Sequence, residues 1–184
     1  MRFALRHVLF RLLLLAVLAP AWAGAATTRE APPQFFSLGI GDLAAEFEDV
    51  RAKGKQALLL VFEQEGCPAC LYMQRDVFTR RDVLALYGKH FVSLSLDVNG
   101  AVPLRDLGGR EMTEKSYSQT AKVRGTPTFV FYDLKGVEIV RAVGAIKPDE
   151  FLVLGQFVAS GAYRTRTLAQ FKQESASGQS KKVF

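Results

Sequence analysis

The sequence LLLVFEQEGCPAC, residues 58–70, decides how this chain is interpreted. Its first half is a continuous apolar run, which is typical of a central strand covered on both faces by helices. Its second half holds Cys67 and Cys70, the two cysteines of the chain. A pair with this spacing can be a redox couple, half of a metal site or a local crosslink.

Ligand count argues against a structural zinc site, which needs four nitrogen or sulfur ligands. After residue 23 the chain offers the two cysteines and a single histidine, His90, which is interpreted as a solvated residue at a strand start. Two-coordinate copper(I) on the thiolates, helped by Met73 or Met112, remains an alternative. The sequence therefore predicts that the cysteine pair binds no metal, with copper(I) as the alternative.

A purely structural crosslink would add little stability here, because disulfide stabilisation grows with the length of the loop that is closed, and this loop is minimal. The redox interpretation suits the position of the pair, directly after a buried strand and at the start of a helix. Free N–H groups and the helix dipole favour a thiolate there. We expect Cys67 to occupy the helix end and face solvent, with Cys70 one turn inward, able to attack a mixed disulfide. Pro68 is tolerated at an early helical position.

Periodicity and turn residues predict the order α-β-α-β-α-β-β-α. Helices are predicted from Asp42 as N-cap to Gly54, from the cysteines through Val77 and Phe78, and at 82–87, 113–122 and 148–158. Strands are predicted at 58–62, 91–97, 128–132 and 137–143, with an extended loop at 98–112 and a frayed end at 175–182. The predicted domain spans residues 42–163, preceded by a lead-in (24–41) and followed by a C-terminal tail (164–184).

The first 23 residues are interpreted as a cleaved signal peptide. A basic start, MRFALRHVLFR, precedes the short apolar run LLLLAVLAP and an A-x-A site, with cleavage after residue 23 or 25. An uncleaved N-terminal anchor is the alternative. Export places the protein in the periplasm, where a disulfide persists. Without this segment the formal charge falls from +6 to +3, with 21 basic and 18 acidic residues, which does not suggest nucleic acid.

A second segment, VRGTPTFVF at 123–131, places Pro127 between two threonines just before a strand. From the residues alone, Pro127 is a candidate for a cis peptide bond, and a trans proline at a strand edge is the alternative.

Over residues 43–158 the chain resembles the thioredoxin superfamily, through LLLVFEQEGCPAC, GTPTFVF and VGAIKPDEF in that order. It is most similar to exported SoxW-type proteins, through the loop between Asp97 and Thr113 and the segment FVASGAY. The resemblance implies an α/β thioredoxin-like fold, with a central mixed sheet flanked by helices on both faces. It also implies cis-Pro127 beside the cysteines, substrate docking on the Thr126 backbone, Gly66 and Pro68 in the substrate-binding surface, and no bound cofactor.

The chain departs from typical thioredoxins, which read WCGPC. Gly66 replaces the aromatic residue before the first cysteine, and the proline moves to the first intervening position. Val61 stands where thioredoxins carry a buried acid. That acid handles the proton of the second cysteine in thioredoxins. Glu63 and Glu65 lie nearby and could serve in its place, but they are interpreted as ordinary solvated glutamates.

These features together predict an exported thiol–disulfide oxidoreductase with a Cys67–Cys70 couple acting on protein disulfides. Pro68 and Ala69 offer no charge to acidify Cys67, so the sequence predicts a reductant rather than a strong oxidant. Such an enzyme must be re-reduced, and the resemblance implies a membrane donor of the DsbD or CcdA type. The alternatives are a disulfide oxidase or isomerase and, in another class, a non-catalytic binding module or copper(I) carrier.

Overall fold

The computed structural model describes residues 34–39 and 41–177. The predicted signal peptide and its predicted cleavage sites lie outside these residues. The helices are α1 (Leu43–Ala52), α2 (Pro68–Tyr72), α3 (Arg81–His90), α4 (Glu114–Thr120), α5 (Pro148–Ala159) and α6 (Leu168–Ala176). The strands are β1 (Ala57–Glu63), β2 (Phe91–Asp97), β3 (Pro103–Arg105), β4 (Glu111–Thr113), β5 (Thr128–Tyr132) and β6 (Glu138–Val143). None of the described helices is both long and apolar enough to cross a bilayer.

The main sheet has four strands in the order β2-β1-β5-β6. β1 and β2 are parallel, whereas β5 is antiparallel to both β1 and β6. All seven residues of β1 are buried, and the continuous apolar run predicted this burial for residues 58–62. The sheet is therefore mixed and central, which confirms the predicted fold class.

Side chains of β1 alternate between two hydrophobic cores, because successive strand residues point to opposite faces. On one face, Leu59 and Val61 pack against α2, α3 and α5. Tyr87 of α3 stacks on Phe151 of α5 with ring centroids 4.4 Å apart and donates to the Phe151 carbonyl at 2.8 Å. On the other face, Leu58, Leu60 and Phe62 pack against α1, α4 and β3.

The first helix and the fourth begin where their capping residues predicted. Asp42 Oδ1 accepts from the N–H groups of Ala44 and Ala45 at 3.0 and 3.2 Å. Thr113 Oγ1 accepts from Ser116 N–H at 3.2 Å. Each side chain satisfies backbone donors that the first turn of a helix leaves free.

Two segments differ from the sequence-based prediction. Residues 98–112 are not simply an extended loop, because β3 and β4 pair as a short hairpin whose Leu104 is buried in the second core. The segment predicted as a C-terminal tail contains α6, and Phe171 of this helix packs on Phe157 in the first core. Part of the predicted frayed end, Ser175 and Ala176, is the last turn of α6.

The lead-in also contributes to the first core. Phe35 stacks on Phe78 with ring centroids 4.0 Å apart, and Phe36 packs edge-on to the same ring. Ser37 N–H donates to the carbonyl of Ser93 in β2 at 2.8 Å. The described part of the lead-in thus covers the outer side of β2 at this point.

Candidate active site

The sheet topology brings the two sequence motifs together. β5 runs antiparallel to β1, so that Thr128 at the start of β5 pairs with Phe62 near the end of β1. The cysteines follow the end of β1, and Thr126 and Pro127 precede the start of β5. The two segments therefore meet at one end of the sheet, although Cys67 and Thr126 are 59 positions apart.

Cys67 is the N-cap of α2 and forms a disulfide with Cys70, with a Cα–Cα distance of 5.3 Å. Its Sγ accepts a hydrogen bond from the Cys70 N–H at 3.2 Å. Pro68 follows at the first helical position, where its missing N–H removes no helical bond. In the reduced state the same N–H would stabilise a Cys67 thiolate, because helix N-termini favour negative charge.

Thr126 contacts Cys67 through both its side chain and its backbone. The Thr126 hydroxyl donates to Cys67 Sγ at 3.3 Å, and the Thr126 carbonyl oxygen lies 3.5 Å from the same sulfur. The Thr126–Pro127 peptide bond is cis. The resemblance predicted the Thr126 backbone next to the cysteines, whereas the hydroxyl contact was not predicted.

The expectation that Cys67 faces solvent is wrong for the disulfide form. Cys67 is 6% exposed and Cys70 is 2% exposed. Thr126 covers the Cys67 sulfur from one side, and the disulfide turns that sulfur towards Cys70. Gly66 and Pro68 on either side of Cys67 are exposed, so the open part of the site is the rim around the sulfur.

Gly66 has a positive φ of 73°, and a Cβ built on it would meet no atom within 4 Å. Its backbone conformation, rather than lack of space, therefore favours glycine here. Pro127 is buried beside Thr126. The structure thus brings Cys67, Cys70, Thr126 and Pro127 together, with Gly66 and Pro68 on the exposed rim.

Glu63 is not the solvated glutamate that the sequence suggested. It is 7% exposed, and its carboxylate accepts from Gln74 Nε2 at 3.0 Å and from Ser95 Oγ at 2.8 Å. Because it lies on the same face of β1 as Val61, it points towards the helical segment that follows the cysteines. It connects this segment to β2, while Glu65 is exposed.

The helix that carries Cys70 continues as a π-helical turn, Met73–Val77. Met73 is fully buried, and its Sδ accepts a hydrogen bond from the Ile146 N–H at 3.3 Å. This thioether is therefore engaged by a backbone donor. A π turn is a common feature near functional sites, but no sequence pattern indicated this one.

Metal-binding residues do not cluster in the part of the chain that the structure describes, where no three His, Cys, Asp or Glu side chains form a candidate site. His90 is the last residue of α3 and is half-buried, not fully solvated. Its pKa is lowered by burial first and by the charges of Lys89 and Lys55 next.

Comparisons with known proteins agree with this architecture. The sequence profile of the thioredoxin-like domain family matches residues 43–159. A thioredoxin-fold protein from Helicobacter pylori is 20% identical, with a TM-score of 0.58, covering 68% of this chain and 83% of that chain. A candidate disulphide-isomerase from Bacteroides thetaiotaomicron is 20% identical, with a TM-score of 0.51, covering 69% and 95%.

A third solved structure, a DsbH oxidoreductase, is 18% identical, with a TM-score of 0.48, covering 78% of this chain and 96% of that chain. No curated protein sequence matches the chain significantly. At these identities, the structural similarities to the first two proteins establish the fold and nothing finer.

Proposed function

The chain belongs to the thioredoxin-like domain family, and we propose that it is a thiol–disulfide oxidoreductase that reduces disulfides of partner proteins. The observation that carries the proposal is the environment of Cys67 Sγ. A backbone N–H of Cys70 and the hydroxyl of Thr126 both donate to this sulfur, at 3.2 and 3.3 Å. Two donors aimed at one sulfur favour its thiolate, which is the nucleophile in disulfide exchange.

The reaction begins with the reduced protein. The Cys67 thiolate attacks one sulfur of the substrate disulfide, forms a mixed disulfide and releases the other substrate sulfur as a thiolate, which takes up a proton. Cys70 then loses its proton and attacks Cys67 Sγ, which releases the second substrate thiolate. The substrate gains two electrons and two protons, and the protein is left with the Cys67–Cys70 disulfide.

The rim around Cys67 is the surface on which a partner chain docks in this proposal. The Thr126 backbone lies next to the sulfur, two residues before β5 begins, and offers a main-chain edge to an extended substrate. Gly66 and Pro68, the chain neighbours of Cys67, are both exposed and so available to a partner chain. These three residues, with Pro127, form the proposed substrate-binding surface.

Trapping of partners tests the division of labour between the cysteines. Cys70→Ser should accumulate mixed disulfides with partner proteins because the resolving thiol is absent. Cys67→Ser should lose exchange activity and trap nothing, since the remaining thiol lies within α2 and lacks the donors that Cys67 has as the N-cap. Equal trapping by both single variants would contradict the assigned roles.

Direction of electron flow is the second part of the proposal. The two residues between the cysteines carry no charge, so the thiolate depends on neutral donors, and we expect a potential of about −200 to −270 mV. Equilibration against glutathione buffers, followed by thiol alkylation, measures this value. A potential near about −120 mV would indicate an oxidant instead.

The proposal places the protein in the periplasm as a SoxW-type reductase, exported by its first 23 residues. Each turnover oxidises the Cys67–Cys70 pair, so an exported reductase needs two electrons from a membrane donor, which we propose to be of the DsbD or CcdA type. A periplasmic fraction whose protein begins at Gly24 or Ala26 would support export. Membrane-bound protein that retains Arg2 would contradict it.

A further inference from the structure

The short loop after β6, residues 144–147, forms hydrogen bonds to both segments of the site, the one with Pro127 and the one that follows the cysteines. Gly144 N–H donates to the Pro127 carbonyl at 2.8 Å, next to the proposed docking residue Thr126. Two residues later, Ile146 N–H donates to Met73 Sδ at 3.3 Å. The loop therefore connects the Thr126–Pro127 segment to the helical segment that carries Cys70.

Met73 offers this loop a fixed point of attachment. Its side chain has no exposed surface and belongs to the first core. Its own N–H donates to the carbonyls of Ala69 and Cys70, at the junction between α2 and the π turn. Both the backbone and the side chain of Met73 are therefore held within one turn of Cys70.

An apolar residue of similar volume would fill the same space. Leucine and methionine exchange in cores at low cost. Only the thioether, however, can accept a hydrogen bond, although sulfur is a weak acceptor. With leucine at position 73, the partly buried Ile146 N–H would lose its protein acceptor, which is costly for a buried donor.

We propose that the Met73 thioether is a positioning residue for partner docking, which holds loop 144–147 and, through Gly144, the Pro127 backbone against the cysteine helix. This inference rests on the proposed function. A protein disulfide has to pair with the Thr126 backbone, so its reaction depends on this loop. A small disulfide needs only the Cys67 sulfur, so its reaction depends on the loop much less.

The test compares two substrates in full-length Met73→Leu protein, with Met112→Leu as the matched control. The substrates are insulin and the small aromatic disulfide dithiobis-nitrobenzoate. We expect the ratio of the insulin rate constant to the small-disulfide rate constant to fall about five- to tenfold in M73L, the factor that one hydrogen bond represents. The Ile146 amide should also exchange with deuterium faster, whereas M112L should match the wild type in both measurements.

A second variant guards against misfolding of M73L. Norleucine incorporation in the M112L background replaces Met73 with a side chain of equal length that lacks sulfur, and it should give the same fall in the ratio. An unaltered ratio would overturn the inference, whether both rate constants fall equally or neither of them falls. Failure of the wild type to react with the small disulfide would instead overturn the proposed function, and the inference with it.

Discussion

At the scale of single residues, the Thr126 hydroxyl is the side-chain group that contacts the reacting sulfur, Cys67 Sγ. It donates to Cys67 Sγ at 3.3 Å and is part of a residue that is only half-buried. A hydrogen bond to a thiolate is charge-assisted, so it is stronger in the reduced form than in the disulfide. The hydroxyl therefore stabilises the dithiol state more than the disulfide.

Thr126→Val should remove this donor and keep the shape of the side chain. We expect its reduction potential to be more negative by about 30 mV, which corresponds to ~1.4 kcal/mol for a two-electron couple. Cys67 should also be alkylated more slowly at neutral pH. Thr126→Ser keeps a hydroxyl and should restore both properties towards those of the wild type. A serine variant that behaves like the valine variant would show that the hydroxyl has no role.

Sequence reasoning located both cysteines and Thr126 but not their contacts. The position of Cys67 at a helix start followed from local signals: the apolar run, the proline and the spacing. The burial of Cys67 and of Glu63 did not, because each depends on a distant partner, Thr126 in the first case and Ser95 in the second. Contacts that cross the sheet carry no periodic signal in one sequence.

At the scale of elements, long periodic segments were predicted well and short ones were missed. β2 was predicted with its observed bounds, because its apolar and polar residues alternate over seven positions. The strands of the β3–β4 hairpin have three residues each, too few for a pattern. The α6 helix did carry a signal, since Thr167 and Gln170 form a capping box before Phe171.

The missed helix leads to a prediction about stability. Phe171 is 3% exposed and packs on Phe157 with ring centroids 5.5 Å apart. Phe171→Ala should lower the free energy of unfolding by about 3–5 kcal/mol, because it leaves a cavity in the first core. Lys172→Ala on the same helix removes an exposed 3.6 Å ion pair with Glu150 and should cost less than about 1 kcal/mol.

Urea denaturation of the oxidised protein measures both changes. The slope of the transition should be similar in the two variants, since both unfold the same domain. If F171A were no more destabilised than K172A, α6 would be only loosely attached, as in the tail that the sequence suggested.

At the scale of the whole molecule, the sheet separates two cores, and the site lies at one end of this sheet. The cysteine helix rests on the first core, while β2 and the β3–β4 hairpin close the second. Glu63 lies on the first-core face of β1 and links the helical segment after the cysteines to β2 through Gln74 and Ser95. The cysteine helix is thus part of the packed fold. The free energy of unfolding therefore has to be measured with the Cys67–Cys70 couple held in one redox state.

The pH dependence of the free energy of unfolding should reveal the lowered pKa of His90. Its pKa is lowered from 6.5, by burial first and by Lys89 and Lys55 next. Below about pH 6.5 the unfolded chain therefore binds more protons at this residue than the folded chain does. The free energy of unfolding should decrease as the pH falls below about 6.5. The contribution of His90 to this decrease should end once the pH is below its lowered pKa in the folded protein.

His90→Gln should remove this part of the slope, because His90 is the single histidine after residue 23. Urea unfolding of the oxidised protein at about pH 7.5 and about pH 5.5 isolates the effect, since most carboxylates remain ionised at both values. We expect the wild type to lose more stability than H90Q between the two conditions. Equal losses would mean that His90 titrates alike in the folded and unfolded states. The acid sensitivity would then have to arise from groups elsewhere in the fold.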